Sequence, residues 1–277
     1  MTLIFIKMEE SDWEKRLKEE GVVVIPNIWK KKECLGFRAR CTELMAKLTR
    51  ASGEGSIKEY MKKYSPSGVI HGMDNARVLW DVRSHPKVTD IFHQLYSDDP
   101  ALYLYIDRFN YRPSLLKKQY SEWWHLDEDP HRPMSRYQGF ISLTDIRAED
   151  ACLGVLWKSH LYTPHMPYGS TINHENLAWL QEEKQCVPHR VACPEGSLVL
   201  WDSRTVHSPL NSLCAKPRKR VVVYVRYYPT SLYPVEKRYS LLETRPDLLA
   251  NRSLDLLYPD EIMNRHRDLV LGHSKPL

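Results

Sequence analysis

Over the first hundred residues, apolar positions recur mostly at helical intervals. Trp13 and Leu17 lie one turn apart behind Asp12, a residue suited to an N-cap, and Gly21 stops the run. Val22 to Ile25 is a short apolar run that predicts a buried strand, turned by Pro26-Asn27. Cys34, Leu35, Phe37, Cys41, Leu44, Met45 and Leu48 predict a helix over Lys31 to Leu48. Ile57 to Tyr64 and Pro86 to Leu95 also read as helices, while Val69 to Val82, which includes His71, fits neither period. From Leu102 the period changes to two. Leu102, Leu104, Ile106 and Arg108 alternate with Tyr103, Tyr105, Asp107 and Phe109, where a barrel is predicted to begin. Val191 to Trp201 and the β-branched run Val221 to Val225 read as further strands. Leu161 to Cys186 reads as an insertion with a short helix, and Leu241 to Leu277 as two helices.

No linker, repeat or low-complexity tract divides the chain. Its 277 residues, 42% hydrophobic, are therefore read as a single domain, 1–277. Within it a helical part, 1–100, precedes a barrel core, about 101–229, and a helical extension, 230–277. The six cysteines are too sparse for a disulfide framework and read as reduced thiols. Cys186, His189 and Cys193 invite a zinc reading but lack a fourth ligand at structural spacing. Met1 to Lys7 has neither the basic flank nor the length of a secretory signal. No run reaches the ~18–20 apolar residues that cross a bilayer. A soluble cytoplasmic protein is expected. The net charge of +5 is mild, and Lys30 to Lys32 and Arg218 to Arg220 are its densest basic runs. Nothing in the pattern sets an oligomeric state.

The chemistry concentrates in Trp123-Trp124-His125-Leu126-Asp127. Along an extended strand residues two apart share a face, so His125 and Asp127 stand side by side while Leu126 turns away. An imidazole beside a carboxylate can grip one cation. A second imidazole would complete a triad of two His and one carboxylate, which leaves open positions on Fe(II). His207, ending the run Trp201 to His207, is the candidate. Among 12 His and 35 Asp plus Glu, His-x-Asp alone is a weak signal. It gains weight from the basic mouth of the strand that follows, because a guanidinium is a natural fork for a carboxylate. His131 follows between Pro130 and Pro133, which break the strand, and is assigned to the substrate side rather than to the metal. The long basic loop from Asn110 to Tyr120 brings Lys117 and Lys118 forward as candidates to meet an acidic substrate group.

With these residues in view, the chain resembles the phytanoyl-CoA dioxygenase-like family of Fe(II)/2-oxoglutarate oxygenases. Glu19-Glu20-Gly21 with its apolar run resembles the family's opening strand, and Ser84 to Ile91 its following helix. Gln138 to Asp145, Cys152 to His160 and Gly196 to Arg204 then match in order, so the resemblance covers roughly residues 15 to 229. It implies a double-stranded β-helix (jelly-roll, cupin-like) core, mainly β with flanking helices. It implies Fe(II) on His125, Asp127 and His207, with 2-oxoglutarate and O2 as co-substrates and succinate as a product. The far carboxylate of 2-oxoglutarate would meet an arginine. Arg218 fits the commoner interval from the second metal histidine and Arg220 fits the strand, with a lean to Arg220; by strand parity both point the same way. Ser208 and Tyr105 are weaker candidates for the same carboxylate. Because Asp127 keeps the carboxylate that halogenases of this fold replace, hydroxylation or a related oxidation is favoured. Departures fall at the pocket mouth: Lys158 stands where a glycine is usual, and Pro209-Leu210 where small residues are usual. A small-molecule substrate is the leading expectation. A protein side chain or nucleobase, which the basic loop and aromatics would suit, and a barrel that binds without turnover are the alternatives.

Overall fold

The computed structural model describes residues 12–70, 76–97, 101–105, 107–114, 122–132, 136–167, 169 and 171–232. His71, Ile106, Lys117, Lys118 and the helices expected within 241–277 lie outside the described residues. In chain order the elements are α1 (Trp13–Glu20), β1 (Val22–Ile25), α2 (Lys31–Ala51), α3 (Ile57–Tyr64), β2 (Val69–Ile70), α4 (Arg77–Arg83), α5 (Pro86–Leu95), β3 (Leu102–Tyr105), β4 (Phe109–Arg112), β5 (Tyr137–Ser142), β6 (Cys152–Leu156), α6 (His174–Ala178), β7 (Pro188–Val191), β8 (Leu198–Asp202), β9 (His207–Leu210) and β10 (Arg220–Pro229). Among the described residues no helix is long and apolar enough to cross a membrane. The elements gather into two compact units, Met1–Asn27 with Ser114–Arg220, and Ile28–Pro113 with Val221–Leu277.

In the first unit β8 runs between β1 and β5, antiparallel to both, with Leu200 opposite Val23 on one side and Gly139 on the other. A second antiparallel sheet has the order β7-β6-β9. The strand expected at Val22 to Ile25 thus joins a sheet as β1, within the part expected to be mainly helical. Gly21 makes this possible. It ends α1 at φ 80°, and a Cβ there would come within 2.4 Å of His160 Nδ1. Its carbonyl accepts hydrogen bonds from the Asp202 amide (3.0 Å) and Thr205 Oγ1 (2.8 Å), tying the start of β1 to the turn that leads into β9. The single strand expected over Val191 to Trp201 is two: β7 ends at Val191, Gly196 turns the chain at φ 81°, and β8 follows. The insertion carries α6 and a π-type turn, Trp179–Glu183.

In the second unit β3 and β4 both pair with β10, and β2 extends the sheet beyond β4. The period-two run from Leu102 is broken into β3 and β4, and Leu102, Tyr103 and Leu104 are all buried, so both faces of β3 are covered. In α2, Cys34, Cys41, Leu44 and Met45 form the buried stripe, whereas Leu35, one position round the helix from Cys34, is exposed. Pro86 opens α5 and the His85 ring accepts the Lys87 amide. Arg83 is fully buried; its Nε donates to the Tyr224 carbonyl at 2.9 Å and its Nη2 to the carbonyls of Asp107 and Arg108.

Asp107, buried beside it, pairs with Arg226 at 3.0 Å and accepts the Arg108 amide. Burial alone would raise its carboxyl, but Arg226, the Arg108 amide and the nearby arginines outweigh that and hold it below the ordinary carboxylate range. A depressed folded value stabilises fully above the unfolded carboxyl value, about 3.9, and the contribution is lost as pH falls through the folded value. Urea unfolding from pH 7 downward is expected to show wild-type stability falling below about pH 4. Asp107→Asn should be less stable at neutral pH and should lose less on acidification.

Candidate active site

His125 and His207 are joined through their backbones. The His125 amide donates to the His207 carbonyl (3.0 Å) and the His207 amide to the His125 carbonyl (3.1 Å), a reciprocal antiparallel pair. The strand expected at Trp123 to Asp127 is reduced to this bridge residue, which pairs with Thr171 as well. The pairing sets the two imidazoles side by side, ring centroids 4.3 Å apart. Asp127 then faces both: its Oδ1 lies 3.6 Å from His125 Nε2 and its Oδ2 3.4 Å from His207 Nε2. One donor atom from each residue falls within 4.8 Å of the other two. Leu126 turns into the core, as alternation requires. Each ring is tied from behind, His125 Nδ1 to the Trp123 carbonyl (2.8 Å) and His207 Nδ1 to the Thr205 carbonyl (3.0 Å). A carbonyl can only accept, so Nδ1 carries a proton in each ring and Nε2 is the nitrogen turned toward Asp127. No group of this kind among the described residues includes Cys186 or Cys193, and none of the six cysteines is in a disulfide.

A wall of side chains leads from the metal group to a buried arginine. The Trp201 ring lies 5.5 Å from that of His207, Phe140 lies edge-on to Trp201 at 6.1 Å, and the Arg220 guanidinium sits 5.6 Å above Phe140. Arg220 is 9% exposed and its Nε has no partner in the protein. Arg218 is placed differently. Its side chain is 35% exposed, and its guanidinium grips the Asp150 carboxylate, with Nε 2.9 Å from Oδ1. Burial would raise the Asp150 carboxyl, but the bonds from Arg218 and the Arg147 amide hold it below the usual range. The shared strand parity expected for the two arginines does not apply, because β10 begins only at Arg220.

The remaining candidates fall in several places. Ser208 is buried and its Oγ accepts the Trp123 amide at 2.9 Å. Tyr105 lies on β3 in the second unit, its ring against Tyr228 and under Arg226. His131 is exposed and pairs with Asp129 at 2.8 Å, apart from the metal group. Three neighbours went unread in the sequence. Trp123 stacks on His125 at 3.9 Å, 8° from parallel, and its Nε1 donates to Thr171 Oγ1; Asp150 holds Arg218; Gln138 stands opposite Trp201. The signal for Trp123 was available, since it lies two residues before His125 and shares its face.

Lys158 has φ 65°, the left-handed conformation that favours glycine, at the position where the resemblance implies one. Its amide donates to the Glu20 carbonyl, and its ammonium lies over Trp157. Lys158→Gly is expected to raise stability by about 1 kcal/mol in urea unfolding.

The family model described as phytanoyl-CoA dioxygenase (PhyH) matches residues 17–219. The chain belongs to the PhyH family. Among curated relatives, an ectoine dioxygenase of Stutzerimonas stutzeri (strain A1501) is 24% identical over 264 residues, covering 86% of this chain and 82% of that protein. Ava biosynthesis cluster protein O of Aspergillus versicolor is 20% identical over 227 residues, covering 73% and 72%. Among solved structures, EctD from S. alaskensis with 2-oxoglutarate and 5-hydroxyectoine aligns with TM-score 0.57 at 17% identity, covering 80% of this chain and 76% of that one. The epimerase SnoN with Fe3+, alpha ketoglutarate and nogalamycin RO aligns with TM-score 0.53 at 15% identity, covering 79% and 82%. The fold shared across these PhyH-like structures is a jelly-roll core of mostly antiparallel sheet with flanking helices.

Proposed function

We infer that this PhyH-family chain is an Fe(II)- and 2-oxoglutarate-dependent dioxygenase that hydroxylates a small molecule, releasing succinate and CO2. The observation that carries this reading is the convergence of His125 Nε2, His207 Nε2 and the Asp127 carboxylate, with both Nδ1 atoms tied to backbone carbonyls. Two imidazoles and one carboxylate are the donor set that suits ferrous ion while leaving positions open, so the residues present fit the metal. When bound, Fe(II) with 2-oxoglutarate and O2 supplies the oxidising power to attack an unactivated C–H bond.

The chain's own residues would do the rest. His125, Asp127 and His207 would hold the ion. The Trp123 and Thr205 carbonyls keep the proton on each Nδ1, which fixes the tautomer and orients the ring. Arg220 would fork the distal carboxylate of 2-oxoglutarate. The Phe140 face beneath it supports the guanidinium and excludes water, so the charge pairing is made in a dry site. The small-molecule reading draws on relatives whose names are those of an ectoine dioxygenase and a nogalamycin epimerase. The reading takes 1–277 as one oxygenase domain working in the cytoplasm. Anaerobic addition of Fe(II) and 2-oxoglutarate to the full chain should produce the weak visible charge-transfer band of the chelate. Air should then give 2-oxoglutarate-dependent succinate. Absence of both would leave a barrel that binds without turnover.

A further inference from the structure

Burying a carboxamide with neither end hydrogen-bonded is costly, because the hydration each group loses is not repaid. Folds rarely retain one without a use for it. Gln138 is such a group. It is 1% exposed, and neither its Oε1 nor its Nε2 has a partner in the protein, so the deficit is the same whichever way the amide is turned. It does not stand alone. Trp201, directly opposite Gln138 across the β5–β8 ladder, is buried with its Nε1 unanswered. Ser203, two residues on from Trp201 and held to the Arg136 carbonyl by its amide, is buried with its Oγ unanswered. Opposed residues of an antiparallel pair share a face, as do residues two apart. Gln138 and Trp201 therefore line the same wall as Phe140, with Ser203 in the turn just past the end of β8, and the Trp201 ring is 5.5 Å from that of His207.

Their chemistry specifies the guest. Gln138 Nε2 and Trp201 Nε1 need an acceptor, Gln138 Oε1 needs a donor, and Ser203 Oγ can serve either way. As a dianion 2-oxoglutarate offers only acceptors, so it cannot answer Oε1. A charged guest would lose its hydration at a wall exposed by no more than 3%. We propose that Gln138, Trp201 and Ser203 form a substrate subsite for a neutral group that both donates and accepts hydrogen bonds, a carboxamide or a hydroxyl. The subsite deepens the oxygenase reading by naming the polar part of its substrate, and it rests on that reading for the substrate's fate, though not for binding.

Thermal unfolding of the metal-free full chain tests it, with benzamide as probe and toluene as apolar control. Benzamide should raise the wild-type midpoint saturably, and toluene should not. Gln138→Leu should raise the probe-free midpoint by about 2–4 °C, since it removes an unanswered amide, and should weaken benzamide binding at least tenfold. Trp201→Phe, which keeps a ring but loses Nε1, should weaken it roughly three- to tenfold. The proposal is overturned if benzamide leaves the wild-type midpoint unmoved or shifts the Gln138→Leu and Trp201→Phe variants as much as wild type. It is equally overturned if probe-free Gln138→Leu unfolds several degrees lower, which would mean that structural water answers the amide. These measurements use no iron, so they fail independently of the charge-transfer titration that tests the oxygenase reading.

Discussion

His207→Ala is expected to abolish the Fe(II)/2-oxoglutarate charge-transfer band and to reduce succinate formation by far more than 100-fold. Changing a residue that merely supports a metal ligand typically costs 10–100-fold in affinity or activity, and this substitution removes a proposed ligand itself. The backbone bridge to His125 is made by main-chain atoms and does not depend on the imidazole, so the variant should remain folded. Unaltered circular dichroism with an absent band would assign the loss to the metal site. A band of undiminished intensity in the folded variant would remove His207 from the ligand set and the oxygenase reading with it.

The second large effect separates the two arginines. Arg220→Leu should raise the KM for 2-oxoglutarate about 100-fold, the loss expected for roughly 3 kcal/mol of charge-assisted pairing. Removing the unanswered Nε should leave stability nearly unchanged. Arg218→Leu should do the reverse. Its guanidinium is engaged by Asp150, so KM should stay within about twofold. Stability should fall by about 1 kcal/mol, since the pair is partly exposed and screened. Steady-state succinate assays and urea unfolding on both variants decide the matter. A raised KM in Arg218→Leu alone would transfer the co-substrate role to it.

The elements legible in the sequence were those whose signals are local. Pro86 opens α5 and Gly21 closes α1 because a ring-locked φ and a left-handed φ are properties of single residues. The grouping of His125, Asp127 and His207 was legible because two of them share a strand-like face and the third ends a run of its own. What was misread depended on distant partners. Leu35 belongs to the apolar set of α2, yet it stands exposed. The run from Val191 to Trp201 reads as one strand on the apolar residues at its two ends, although Pro194-Glu195-Gly196 between them carries turn chemistry, and Gly196 turns the chain there at φ 81°. Arg218 and Arg220 looked equivalent two residues apart, but the Asp150 carboxylate that draws Arg218 aside comes from a loop 68 positions earlier. Gln138 gave no signal, because an amide in a strand looks ordinary until every atom around it has been placed.

Because main-chain pairing holds His125 against His207, the geometry proposed to bind the ion comes into being only when β9 docks. A truncated chain ending before β9 would retain His125 and Asp127 but lose the rung that spaces them against the second imidazole. Metal capture should therefore be a late event in folding, and a nascent chain would be spared iron until its barrel has closed.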